Sequence, residues 1–234
     1  MPADLAPQSP SLFVLGDSIS IHYGPFLERI LAGCFVCDRK GSELLRDEPP
    51  DYRQGDILQR LAVLENSSDA INGGDSACVL AYLQVRCMLP PPGWTVLLLN
   101  CGLHDLRTDP QVGTHQVDLE AYAVNLSEIL RLAALLSRRV VWLRTTPVVD
   151  ARHQRLNPEY HRFNADVELY NRVADQLMDR AGIPIIDLYG FTHRLSSSSE
   201  SLDALYSDHV HFIEPVQQLQ AAYIAGWLDA CSFS

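Results

Sequence analysis

The chain has 234 residues, of which 29 are acidic and 18 basic, giving a formal net charge of -11. A field of that sign repels phosphate backbones and anionic lipid surfaces, which argues against a nucleic-acid partner. No apolar run approaches the roughly 20 residues that cross a bilayer, which argues against membrane insertion.

The length suits a single α/β domain over 1–234, with 1–10 expected as a loose N-terminal tail. The N-terminus lacks a basic region, and its first apolar run, 12–15, is too short for a signal peptide, so a cytoplasmic location is expected. Apolar runs bounded by turn residues then recur, alternating with helix-periodic segments, as in a parallel sheet with crossover helices. The spacing predicts strands at 12–15, 35–38, 96–100, 140–144 and 183–187. An amphipathic stretch covers 25–31, and helices are predicted at 76–87, 119–137, 158–181 and 215–229. The third and fourth strands are almost continuously apolar, which places them centrally in the sheet. Loops are expected at 43–56, 145–157 and in the serine run 196–200. The six cysteines lie scattered through apolar segments, as reduced thiols do, and Cys34-x-x-Cys37 has no second pair to complete a zinc site.

Ligands of open α/β sheets bind beyond the carboxyl ends of the strands, so chemistry is sought there. Gly16-Asp17-Ser18-Ile19-Ser20 follows the first strand, where a sharp strand-to-helix turn can present a serine hydroxyl. The alternative for such a tripeptide is an ordinary helix cap. Gly74-Asp75-Ser76 follows a polar stretch instead, so Ser76 reads as a cap. Asn100-Cys101-Gly102-Leu103-His104-Asp105 follows the third strand, and Ser207-Asp208-His209-Val210-His211 lies near the C-terminus. An Asp three residues before a His can fold back to fix its tautomer, leaving an imidazole able to take a serine proton. Asp208, His209 and His211 could instead hold a metal, but no accompanying ligand spacing supports that, and no metal is expected. His209 reads as a solvent-exposed flank.

These segments resemble the four motif blocks of the SGNH/GDSL hydrolases, in order and across almost the whole chain: Gly16-Asp17-Ser18-Ile19-Ser20, Asn72-Gly73-Gly74-Asp75-Ser76, Gly102-Leu103-His104-Asp105 and Asp208-His209-Val210-His211. The resemblance implies a flavodoxin-like, three-layer α/β/α sandwich with a five-stranded parallel sheet in the order 2-1-3-4-5. It also implies a cofactor-free serine esterase, with Ser18, Asp208 and His211 as the triad and Ser18, Gly74 and His104 around the oxyanion. The family's third block normally carries Asn where this chain has His104. An imidazole can donate there only in the right tautomer or when protonated.

Asp17, Asn72, Asp105, Arg152 and His153 are candidate substrate contacts. The absence of a long apolar lid and the polar segment 152–157, with His161 and Arg162 beyond it, lean toward a short acyl group, such as acetyl, on a carbohydrate or other polar alcohol. The competing reading of that segment is a solvated helix start. A small-molecule or saccharide ester is the expected partner. An acyltransferase using Ser18 and His211, a lipase or thioesterase for longer chains, and a non-catalytic binding module are the alternatives.

Overall fold

The computed structural model describes residues 9–41, 71–196 and 201–231. The loop expected at 43–56, most of the 196–200 run and most of the 1–10 tail lie outside them. Five strands form one parallel sheet in the order β2-β1-β3-β4-β5: β1 Ser11–Leu15, β2 Val36–Arg39, β3 Trp94–Leu99, β4 Ser137–Leu143 and β5 Ile185–Ile186. Register is continuous through the centre, with Val14 opposite Leu98 and Leu98 opposite Val141.

The helices are α1 Ser18–Leu31, α2 Ser76–Arg86, α3 Leu119–Leu136, α4 Asp150–Leu156, α5 Asn164–Ala181, α6 Leu188–Arg194 and α7 Glu214–Ala230. Helices α1 and α7 pack together, with α6 against α7, while α2, α3 and α5 form a second group linked through α3. This is the three-layer, flavodoxin-like α/β/α sandwich. Leu97, Leu98, Leu99, Val141 and Trp142 are fully enclosed, as expected of strands covered on both faces.

Some boundaries differ from the sequence expectation for local reasons. The segment 145–157, expected as loop, contains the short helix α4, which has no side-chain cap bond and is anchored by burying His153. The helix expected from 158 begins only at Asn164, because His161 first pairs with Thr108 through two 2.8 Å backbone hydrogen bonds. β5 is two residues instead of five, since only β4 pairs with it. Among the described residues no helix is long and apolar enough to cross a membrane.

Candidate active site

Four loops meet at the carboxyl edge of the sheet. After β1 the chain turns into α1 with Asp17 as N-cap, its Oδ1 accepting the Ile19 N–H at 2.9 Å, and Ser18 becomes the first helical residue. Its own N–H therefore has no intrahelical acceptor. The 72–76 loop is tied alongside by the Gly73 N–H donating to Gly16 O at 2.8 Å. A Cβ on Gly73 would stand 3.0 Å from that same oxygen, so only glycine permits this approach. Gly102, with φ of 146°, turns the chain after β3, and a Cβ there would meet Thr145 Oγ1 at 2.5 Å.

His211 closes the arrangement. Its Nε2 lies 2.8 Å from Ser18 Oγ and its Nδ1 2.7 Å from Asp208 Oδ2. Asp208 Oδ1 accepts the backbone N–H groups of Val210 and His211 at 2.8 and 2.7 Å, so the carboxylate orients both the ring and the turn that carries it. Burial pushes the Asp208 carboxyl up, but these N–H groups and the His211 ring outweigh it and hold it down at about 2. A hydrogen-bonded line from hydroxyl to imidazole to ionised carboxylate results.

The residues around this line divide into groups facing it and groups turned inward. His104 is 9% exposed, and burial, reinforced by the Arg107 and Arg162 charges, lowers its ring to about 3, so it is neutral at ordinary pH. Among the described residues no hydrogen bond engages that ring. The Gly74 N–H, expected from the sequence to face the oxyanion, donates to Asn72 Oδ1 at 2.9 Å. Asp105 is enclosed and accepts the Ser76 N–H through both oxygens, at 2.9 and 3.1 Å, joining the second block to the third. Asp75, not Ser76, caps α2, and Ser76 is its buried first residue. Asp17 is buried with Oδ2 unpartnered, and burial raises its carboxyl against the pull of the Ile19 N–H and the nearby Arg162 and His211.

Arg152 and His153, sought as substrate contacts, are engaged within the protein. Arg152 donates from Nε to Asp208 O, from Nη2 to Tyr206 O at 3.1 Å and from Nη1 to Asp203 Oδ2 at 3.0 Å. It clamps the loop that bears Asp208. His153 is fully buried, with Nε2 3.0 Å from Arg162 Nη1. His209, expected as an exposed flank, is half-buried, its ring centroid 4.9 Å from that of His153.

Two contributors escaped the sequence reading. His22 lies one helical turn beyond Ser18, its ring centroid 4.4 Å from that of His211; the i, i+4 spacing from Ser18 was the available signal. Arg107 lines a cavity of about 220 Å³ whose wall includes Gly74 and His104, and only the tertiary structure brings it there. Among the described residues no group of three or more His, Cys, Asp and Glu could hold a metal ion.

A family model for the GDSL-like lipase/acylhydrolase family matches residues 14–219. No curated protein matches the chain. Among solved structures, a member of the lipolytic protein G-D-S-L family from Veillonella parvula is 12% identical with a TM-score of 0.63, covering 95% of this chain and 100% of its own. An acetyl xylan esterase is 15% identical with a TM-score of 0.60, covering 94% and 100%. A catalytic mutant of an acetylxylan esterase from Geobacillus stearothermophilus is 13% identical with a TM-score of 0.61, covering 93% and 92%.

Proposed function

Since the chain belongs to the GDSL-like lipase/acylhydrolase family and is thereby a serine ester hydrolase, we propose that Ser18, His211 and Asp208 are its catalytic triad and that it removes a short acyl group, such as acetyl, from a carbohydrate or other polar alcohol. His211 Nε2 takes the Ser18 proton as Oγ attacks the ester carbonyl. The resulting oxyanion is held by the Ser18 N–H, the His104 ring and the Gly74 N–H, the last in competition with Asn72. Collapse breaks the bond to the alcohol oxygen, which leaves with the proton from His211, and water then hydrolyses the acyl-enzyme by the same route. Asp208 stays ionised throughout and stabilises the imidazolium.

The supporting observation is the unbroken line from Ser18 Oγ through His211 to Asp208, with contacts of 2.8 and 2.7 Å. The preference for a short acyl group draws on the polar side chains that line the cavity beside Gly74 and His104, among them Asn72, Asp75 and Gln116, and on the acetylxylan esterases among the fold neighbours.

Labelling by a serine-directed phosphonate, followed by intact-mass spectrometry, tests the nucleophile. Wild type and Ser76→Ala should each gain one label and Ser18→Ala none; a label retained in Ser18→Ala and lost in Ser76→Ala would overturn the assignment. Release of acetate from acetylated xylo-oligosaccharides, compared with hydrolysis of long-chain 4-nitrophenyl esters, tests the substrate class. Turnover of the long-chain esters alone would refute the short-acyl preference.

A further inference from the structure

Two cationic side chains, Lys40 and Arg107, line the cavity bounded by Gly74 and His104. Lys40, 4% exposed, reaches its wall and donates from Nζ to Asn72 O at 2.8 Å. The Asp75 carboxylate on the same wall accepts from Cys78 N at 2.9 Å and Gln116 Nε2 at 2.5 Å. Arg107 is the second of these cations. Its guanidinium lies over the Tyr160 ring, 4.6 Å from the centroid, and its buried Nε has no hydrogen-bond acceptor. Among the described residues it forms no ion pair, whereas Arg162 donates to Leu103 O, Arg152 holds Asp203, and Arg144 holds Asp175 and Asp187.

An aromatic face under a guanidinium fixes the plane of its donor fork without consuming the donors, and a planar fork suits a carboxylate. A group without an acceptor for Arg107 would, when it fills this cavity, leave partly desolvated a cation that has no ion pair among the described residues, which is costly. In a chain of net charge -11, long-range attraction is not what would draw an anion here. Selection would have to be local and geometric.

We infer that this cavity is a subsite for a carboxylate borne by the ester substrate, with Arg107 as the residue that determines the preference; the inference rests on Ser18 being the nucleophile. The carboxylate can belong to the acyl half, as in a half-ester of a dicarboxylic acid, or to the alcohol half, as in an acylated uronic acid. Both present the same group to Arg107, and model esters separate them.

The test compares kcat/KM for 4-nitrophenyl acetate with 4-nitrophenyl hemisuccinate (acyl-borne carboxylate), and for phenyl acetate with 4-acetoxybenzoate (alcohol-borne carboxylate). Wild type should favour the acidic member of one pair, and Arg107→Gln should shrink that anionic-to-neutral ratio at least tenfold, with Arg107→Lys between the two. No preference in either pair, or an equal fall on acidic and neutral esters in Arg107→Gln, would overturn the subsite, because an effect passing through His104 alone would strike both esters alike. Binding gives a second readout, independent of turnover: succinate should raise the melting temperature of wild type and not of Arg107→Gln, with succinamide as neutral control. If no ester is hydrolysed and Ser18 takes no label, the proposed function fails, yet the succinate shift still decides the cavity: its presence upholds the anion site and its absence removes it.

Discussion

Replacing Arg152 by Met keeps the aliphatic stem and removes the guanidinium donors that hold the 203–208 segment. Three of the lost contacts reach backbone carbonyls, Asp208 O, the O of buried Tyr206 and, at a longer 3.3 Å from the Nη1 that also serves the Asp203 carboxylate, Asp203 O; the first two are hydrogen bonds from a charged donor, which contribute about 1.5–3 kcal/mol each. The remaining partner, the Asp203 carboxylate, is 42% exposed, so that ion pair is worth at most about 1 kcal/mol after solvent screening. Water can reach part of this loop in the variant, so the low end of the range applies, about 3 kcal/mol, or roughly a hundredfold in the ratio of docked to undocked loop. Because a loop can open without global unfolding, most of that change should appear as misplacement of Asp208 and His211, not as a lower melting temperature. The expected outcome is a 10- to 100-fold fall in kcat/KM on 4-nitrophenyl acetate, with faster hydrogen exchange at the Val210 and His211 amides. Arg152→Lys should recover little, since one ammonium cannot span three acceptors in a fixed fork. Unaltered amide exchange with kcat/KM within twofold of wild type in Arg152→Met would refute the clamp.

His22 packs on the His211 ring at 4.4 Å, so His22→Ala should lower kcat by about tenfold through a loosened imidazole; His22→Phe, which keeps a flat ring there, should retain most of the rate, and equal losses in both variants would show that packing is not its role. His104→Ala should cost on the order of 10²–10³ in kcat and His104→Asn should restore much of it, whereas a fall under threefold in His104→Ala would remove this ring from the oxyanion. With its proton affinity lowered to about 3 by burial, the His104 ring should also show constant NMR shifts from pH 8 to pH 5. Burial pushes the Asp105 carboxyl up to about 7, against the pull of the Ser76 contacts. From about pH 4 to 7 the native chain therefore keeps a proton that the unfolded chain has released, so this group's contribution to stability falls as pH rises through that window. The urea-unfolding free energy of wild type relative to Asp105→Asn should accordingly decline from pH 4 to 7, and a difference that stays constant or grows would contradict the raised value.

Strand and helix order were legible because apolar periodicity is a local property: 12–15 and 96–100 are short apolar runs, and 119–137 repeats its apolar residues at helical spacing. The residues of the hydrogen-bonded line were legible for a related reason. Ser18 follows a strand, and Asp208 and His211 lie three residues apart, so each half of the line is written within a few positions. Helix α4 was legible only as the competing reading of its segment, since a seven-residue stretch with five polar residues and no cap bond carries no periodic signal, and it is the burial of His153 that anchors it.

What no local pattern could supply was the destination of the long cationic side chains. Arg107, Arg152 and Arg162 look alike in sequence, as exposed bases in a polar stretch. The fold sends Arg152 back to the Asp208 loop, Arg162 to Leu103 O and Arg107 onto Tyr160 at the cavity wall. A guanidinium on a flexible stem takes its acceptors from whatever chain the tertiary packing brings within reach. The sequence therefore determined the order of elements and the chemical groups at the strand ends, while the packing of distant segments decided which cation clamps, which supports and which faces the substrate.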